Sequence, residues 1–101
     1  MILDEREPKT GVIRGGGEIS ELFDDSEWRM LALRLRLSER QKEIARFICG
    51  SLSNDEIAIR LGITSNTVRM HVRGLFKKIG VHDRVGVAVR LFESWRAHRP
   101  A

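Results

Sequence analysis

Two helix signals separated by three residues constrain this chain more than any other feature of its sequence. Ser53-Asn54-Asp55-Glu56 is a capping-box pattern, in which a serine hydroxyl and a glutamate side chain each hold the other residue's backbone amide. Ile57, Ala58 and Leu61 follow on one helical face, and Gly62 suits the left-handed position that ends a helix. Thr64 then caps a second helix that runs to about Ile79, with Gly80 as its stop. Only Gly62-Ile63-Thr64 separates the two, which is the length and glycine placement of a helix-turn-helix.

The same punctuation recurs on both sides. Ser38-Glu39-Arg40-Gln41 is another capping box, and the helix behind it sets Ile44, Phe47 and Ile48 on one face before Gly50. Asp83 caps a last helix that runs to about Arg96. Upstream, Ser26 is placed to cap a helix carrying Trp28, Leu31, Ala32 and Leu35. The run Leu33-Arg34-Leu35-Arg36-Leu37 alternates with period two, so the expectation is helix to about Arg34 and then an extended exit. Ile19, Leu22 and Phe23 make a short helical stripe at best. Pro8, Gly11 and Gly15-Gly16-Gly17 mark a flexible arm, and the triple glycine lacks the Gly-Lys-Ser/Thr ending of a phosphate loop.

This reading gives an all-α fold, with no convincing run of strands. Residues 1–17 are the arm, 18–36 an N-terminal extension that is partly helical, 37–96 a four-helix domain and 97–101 a tail. The 101 residues amount to one domain, with little room for an elaborate enzyme pocket. No apolar run approaches the ~18 residues of a membrane helix, and acids near the N-terminus exclude a secretory signal there. The single cysteine, Cys49, excludes an intramolecular disulfide framework, fits a reducing cytoplasm and reads as a small core residue.

Charge divides the chain. Residues 1–37 carry six bases and eight acids, whereas residues 38–101 carry twelve bases and six acids. Within 64–80 there are Arg69, Arg73, Lys77 and Lys78 and no acid, the electrostatic footprint of a polyanion partner. In the same stretch Val68, Val72, Leu75, Phe76 and Ile79 form one apolar stripe that must face the core. Asn66, Arg69, Met70, Arg73 and Lys77 are left on the opposite face. Three bases at i, i+4 and i+8 repel each other by a few tenths of a kcal/mol per adjacent pair, a cost that phosphates and guanine edges would offset. An α-helix fits the major groove of B-DNA, where Arg69 and Arg73 can each present a fork to guanine and Met70 an apolar contact to thymine. Ser65, Thr67 and the free amides at the helix start can hold phosphate oxygens, and Lys77 and Lys78 fall where backbone runs.

These residues resemble the LuxR-type (GerE-type) DNA-binding domain of bacterial transcription regulators. The resemblance rests on Leu37-Ser38-x-Arg40, Gly50, Ser53-Asn54-x-Glu56-Ile57-Ala58, Leu61-x-Ile63, Thr67-Val68-Arg69-x-His71, Lys78-x-Gly80-Val81 and Arg84, and covers residues 37–92 without gaps. It implies a dimeric, sequence-specific regulator of double-stranded DNA in which the domain's third helix reads bases through Arg69, Met70 and Arg73. It places backbone contacts on Thr67, with Ser53, Ser65, Asn66, Lys77 and Lys78 added to that set. It also implies that the fourth helix supplies the dimer contact. That helix is rich in apolar residues: Ala88, Leu91, Phe92 and Trp95 form one stripe, and Val85, Val87 and Val89 are surplus; one stripe must pack on the core, and the remainder is left for a partner. The expected dimer interface is Val87, Arg90, Leu91 and Ser94. The competing expectation is that Trp28 and Leu31 cover this surface from the N-terminal side.

The sequence departs from the family pattern at Gln41, where glutamate is usual, at Asp55, where a base is common, and at Gly86, where glutamate or glutamine is common. Asp55 removes a possible phosphate contact. Gly86 weakens its helix by ~1 kcal/mol relative to alanine and leaves Asp83 without a capping-box partner. The sensor domain usual in the family is not expected, since only 36 residues precede the motif.

His71 reads as a structural residue at the edge of the core stripe. His82 and His98 have no partners at metal-ligand spacing, so no metal is expected, and neither a cofactor nor a small-molecule ligand. No nucleophile–base pairing marks an enzyme. The rival readings are a sigma-factor module with a similar helix pair, and a protein-interaction module that heterodimerises with a larger LuxR-type regulator. Residues 1–36 have three open roles: an arm, a lid over the fourth helix, or a contact to RNA polymerase.

Overall fold

Each helix begins where the sequence offers a side chain to its free amides. The computed structural model describes residues 22–99 and holds five helices: α1 (Asp25–Leu35), α2 (Glu39–Cys49), α3 (Asn54–Leu61), α4 (Ser65–Ile79) and α5 (Arg84–His98). Among the described residues there is no strand. The expected four-helix domain is α2–α5, with α1 as the N-terminal extension. Capping boxes open α2, with Ser38 and Gln41, and α3, with Ser53 and Glu56. Thr64 caps α4 and Asp83 caps α5. Gly62 and Gly80 take the left-handed conformation (φ 67° and 72°) that glycine adopts without steric cost.

The start of α1 differs from expectation. Asp24, not Ser26, is the cap, and it forms a full capping box with Glu27. The signal Asp24-x-x-Glu27 was present in the sequence; Ser26 lies inside the helix and donates its hydroxyl to Asp24 Oδ1 at 3.0 Å. Hydrogen bonds from the Glu27 amide and Ser26 hold the Asp24 carboxyl below its ordinary range. The cap therefore contributes stability above the ordinary carboxylate pKa and loses it as pH falls through the depressed value.

The exit of α1 also differs. The helix runs through Leu35 and turns on Arg36, which is left-handed (φ 59°), instead of leaving as an extended strand. Burial decides between the two periodicities: Trp28, Leu31 and Leu35 are buried at helical spacing, while Leu33 is 80% exposed. At the end of α2 the left-handed residue is Ser51 (φ 66°), one position beyond Gly50. Of the suggested stripe at 18–25, Ile19 lies outside the described residues, Phe23 is buried and Leu22 is exposed.

One apolar core joins all five helices. It contains Phe23, Trp28, Leu31 and Leu35 beside Ile44, Ala45 and Ile48 of α2, Ile57 and Ala58 of α3, Val68, Val72, Leu75 and Ile79 of α4, and Val87 and Leu91 of α5. Helix α1 packs on both α2 and α5. Polar and aromatic contacts reinforce that seam. The Trp95 indole N–H donates to Glu27 Oε2 at 2.6 Å, Phe23 meets Trp28 edge-on at 5.3 Å, and Arg46 of α2 sits over the Trp28 ring while pairing with Asp25 at 3.3 Å.

This packing corrects the expected dimer surface. Val87, Leu91 and Ser94 are buried within the chain, under α1 and α2, and Arg90 is half-buried. The face that α5 leaves open is Val85, Val89 and Phe92, at 71%, 51% and 47% exposure. Phe92 thus lies outside the core, and Val87 inside it. Both sets lie at i, i+4 and i+7, so spacing alone does not choose between them; α1 does.

Candidate nucleic-acid interface

Helix α3 is short because its sequence supplies only two inward turns before Gly62. Helix α4 leaves the turn with Val68, Val72, Leu75 and Ile79 buried and Phe76 half-buried. That anchoring fixes what faces outward. Asn66, Arg69, Met70, Arg73 and Lys77 are all exposed on the opposite side, and Lys78 is exposed beside them. Ser65 and Thr67 are half-exposed at the first turn, and Ser53 is exposed at the start of α3. The structure therefore brings the candidate base-reading residues onto one ridge, with the hydroxyls at one end and the lysines at the other. His71 is half-buried at the edge of the stripe.

Helix α4 holds no acid, so the ridge has one sign of charge. Its first-turn amides point back along the helix axis and add a partial positive charge at its start, where Thr64 Oγ1 accepts from the Thr67 amide. Arg69 does not hang free: its guanidinium donates to Asn66 Oδ1 at 2.8 Å, one turn back. The hydroxyls at the start of α4 are also engaged. Thr67 Oγ1 lies 2.9 Å from Thr64 Oγ1, and Ser65 Oγ donates to Asp55 Oδ1 at 2.5 Å. The Asp55–Ser65 link was missed in the sequence, because its partners are ten positions apart and meet only once α3 folds back along α4.

Arg84 holds the approach to this site. From the start of α5 its guanidinium donates to the Leu52 carbonyl and, at 3.2 Å, to Asn54 Oδ1. It thereby fixes the loop from which α3 starts. Arg84→Ala is expected to cost about 1.5–3 kcal/mol, since it removes a charge-assisted bond and orphans a carbonyl. A thermal melt within a degree of the parent chain would show that the loop holds itself.

Gly86 also has a local reason. A Cβ there would stand 3.0 Å from Val81 Cβ and 3.2 Å from Asp83 Oδ1. The Gly86 amide donates to Asp83 Oδ1 at 2.7 Å, so the glycine keeps the cap tight against Val81. An alanine would gain helix propensity and lose part of it to that contact.

Cys49 is half-buried against the core, and burial pushes its thiol up to about 11. Among the described residues no group of three or more His, Cys, Asp and Glu could hold a metal, and no helix is long and apolar enough to cross a membrane.

A five-helix array with a tight α3–α4 turn and a basic outward α4 defines a helix-turn-helix domain. The chain belongs to the luxR family of bacterial regulatory proteins, whose family model matches residues 35–91. Among curated relatives it is similar to a nitrate/nitrite response regulator protein homolog of Haemophilus influenzae, 42% identical over 60 residues. That match covers 59% of this chain and 29% of the relative. It is also similar to the two-component response regulator PprB of Pseudomonas aeruginosa, 39% identical over 56 residues, 55% of this chain and 20% of the relative. A third is the transcriptional regulatory protein UhpA of Escherichia coli, 34% identical over 59 residues, 58% of this chain and 30% of the relative. The chain thus spans less than a third of the length of these relatives. No solved structure is a significant match.

Proposed function

We propose that this chain is a sequence-specific transcriptional regulator that sets α4 in the major groove of a near-palindromic DNA site and does so as a dimer. The observation that carries the reading is the outward ridge of α4: Asn66, Arg69, Met70, Arg73 and Lys77 exposed together on an acid-free helix. On this reading Arg69 and Arg73 read guanine edges and Met70 reads a thymine methyl. Ser53, Ser65, Asn66, Thr67, Lys77 and Lys78 meet backbone, which supplies affinity without sequence information. The chain has no catalytic role in this scheme. Selection of genomic fragments by the full-length chain at about 150 mM salt tests it. Recurrent recovery of a near-palindrome, with half-sites about 10 bp apart, is the expected result. Recovery of unrelated fragments, with binding that vanishes as salt rises, would leave only non-specific electrostatics.

The dimer surface in this reading is the exposed Val85, Val89 and Phe92 face of α5, in place of the buried residues. An apolar ridge of this kind on a small domain suits a symmetric contact. Phe92→Asp is expected to turn a dimer into a monomer in analytical ultracentrifugation, with the helical circular dichroism unchanged. A parent chain that is monomeric at all concentrations would remove the dimer from the mechanism. The same open face supports a second reading, in which this chain pairs with a longer regulator of the family and modulates it. Failure of the fragment selection would move that reading to first place.

A further inference from the structure

The acid at Asp55 has an unexpected position. It lies in the first turn of α3, yet its carboxylate reaches the first turn of α4 and accepts the Ser65 hydroxyl at 2.5 Å. Ser65 precedes Arg69 by four residues, so the two lie on neighbouring turns of one face of α4. A full negative charge is therefore held beside the start of the ridge that carries Arg69, Met70 and Arg73. It is exposed, and the link to Ser65 fixes it there. The ion pairs among the described residues are Arg40–Glu43, Lys42–Glu39 and Arg46–Asp25, and none of them includes Asp55. Glu56 beside it is turned back to the Ser53 amide, which adds to the local negative charge.

We propose that Asp55, held by Ser65, is a built-in attenuator of backbone binding that lowers the affinity of this chain for DNA of arbitrary sequence. The inference rests on the reading that α4 enters the major groove. A phosphate approaching the amides and hydroxyls of the α4 first turn meets a fixed anion and a Ser65 hydroxyl already committed to it. The repulsion applies to every sequence alike, because every sequence carries the same phosphates. Contacts from Arg69 and Arg73 to base edges are made only on the right sequence. Lowering the common term while leaving the base contacts intact shifts binding towards discrimination. Asp55 is then a specificity-determining residue that acts through charge without reading a base.

The test is a charge series at position 55. The parent chain, Asp55→Asn and Asp55→Lys are titrated by fluorescence anisotropy against a random-sequence 24-bp duplex at low and at physiological KCl. An Arg69→Ala/Arg73→Ala double variant is titrated alongside, on this duplex and on one recovered by the fragment selection. Affinity is expected to rise about fivefold for each unit of charge removed or reversed, the size of one charge pair at close range in water. The gain should shrink as KCl rises, because exposed charges are screened. A purely structural role for Asp55 would instead weaken both variants and lower their melting temperatures, and that result overturns the proposal. So does unchanged affinity across the series while the double arginine variant loses binding to the recovered duplex, which leaves the groove reading standing. If the double arginine variant binds a duplex recovered by the fragment selection as well as the parent chain does, the groove reading itself fails, and this inference with it.

Discussion

Trp28→Ala is expected to cost about 3–5 kcal/mol, the usual range for emptying a buried aromatic site. That is a large part of the stability that a domain of this size possesses. The tryptophan is fully buried at the meeting of α1, α2 and α5, with Phe23 against its edge and Arg46 over its face. Losing it opens a cavity that three helices would have to close together. A chain lacking residues 1–36 should fare worse. It would expose Val87, Leu91 and Ser94 and leave the Trp95 indole without Glu27. The expected result is loss of a cooperative thermal transition followed by circular dichroism. A truncated chain that melts sharply within a few degrees of the parent would show that α1 is an accessory to a self-sufficient bundle.

Arg73→Ala has the second largest expected effect. On a site recovered by selection it should weaken binding by about 1–3 kcal/mol and relax the preference at one base position in each half-site. Arg73 is suited to this because it is exposed on the middle of the α4 ridge, two turns beyond Ser65, while Val72 beside it is buried and fixes the helix rotation. Lys78→Ala serves as the contrast. It should weaken all sequences alike and flatten the dependence on salt. Competition with single-base variants of the site separates the two. An Arg73→Ala chain that weakens equally on every variant would assign Arg73 to the backbone.

The legible parts of this chain were those in which one local rule acts alone. Capping boxes at Ser38 and Ser53, the left-handed Gly62 and Gly80, and the Val68–Ile79 stripe each follow from a handful of neighbouring residues. They were enough to derive the α3–α4 turn and the outward face of α4 from sequence. The failures occurred where two local rules competed and a distant element decided. Leu33 to Leu37 satisfies both a helical and an extended pattern, and the burial of Leu35 with Trp28 and Leu31 selects the helix. Helix α5 offers two apolar stripes of identical spacing. Only the arrival of α1, more than fifty residues upstream, sends Val87 and Leu91 inward and leaves Val89 and Phe92 outside. Asp55 is a milder case: its substitution for a base was visible, but its reach to Ser65 requires the folded angle between α3 and α4.

The seam between α1 and α5 also determines what light can report about this protein. The chain has two tryptophans and no tyrosine, and Trp28 and Trp95 both belong to that seam. Their emission is therefore a local gauge: one indole is sealed in the core beneath Arg46, the other is bonded to Glu27 with Arg99 over its ring. Helix α4 contributes no such chromophore. A change in emission on adding DNA would mean that an event at the α4 ridge had been felt at the seam between α1 and α5. Silence would mean that α4 docks as a rigid body, with the seam unmoved.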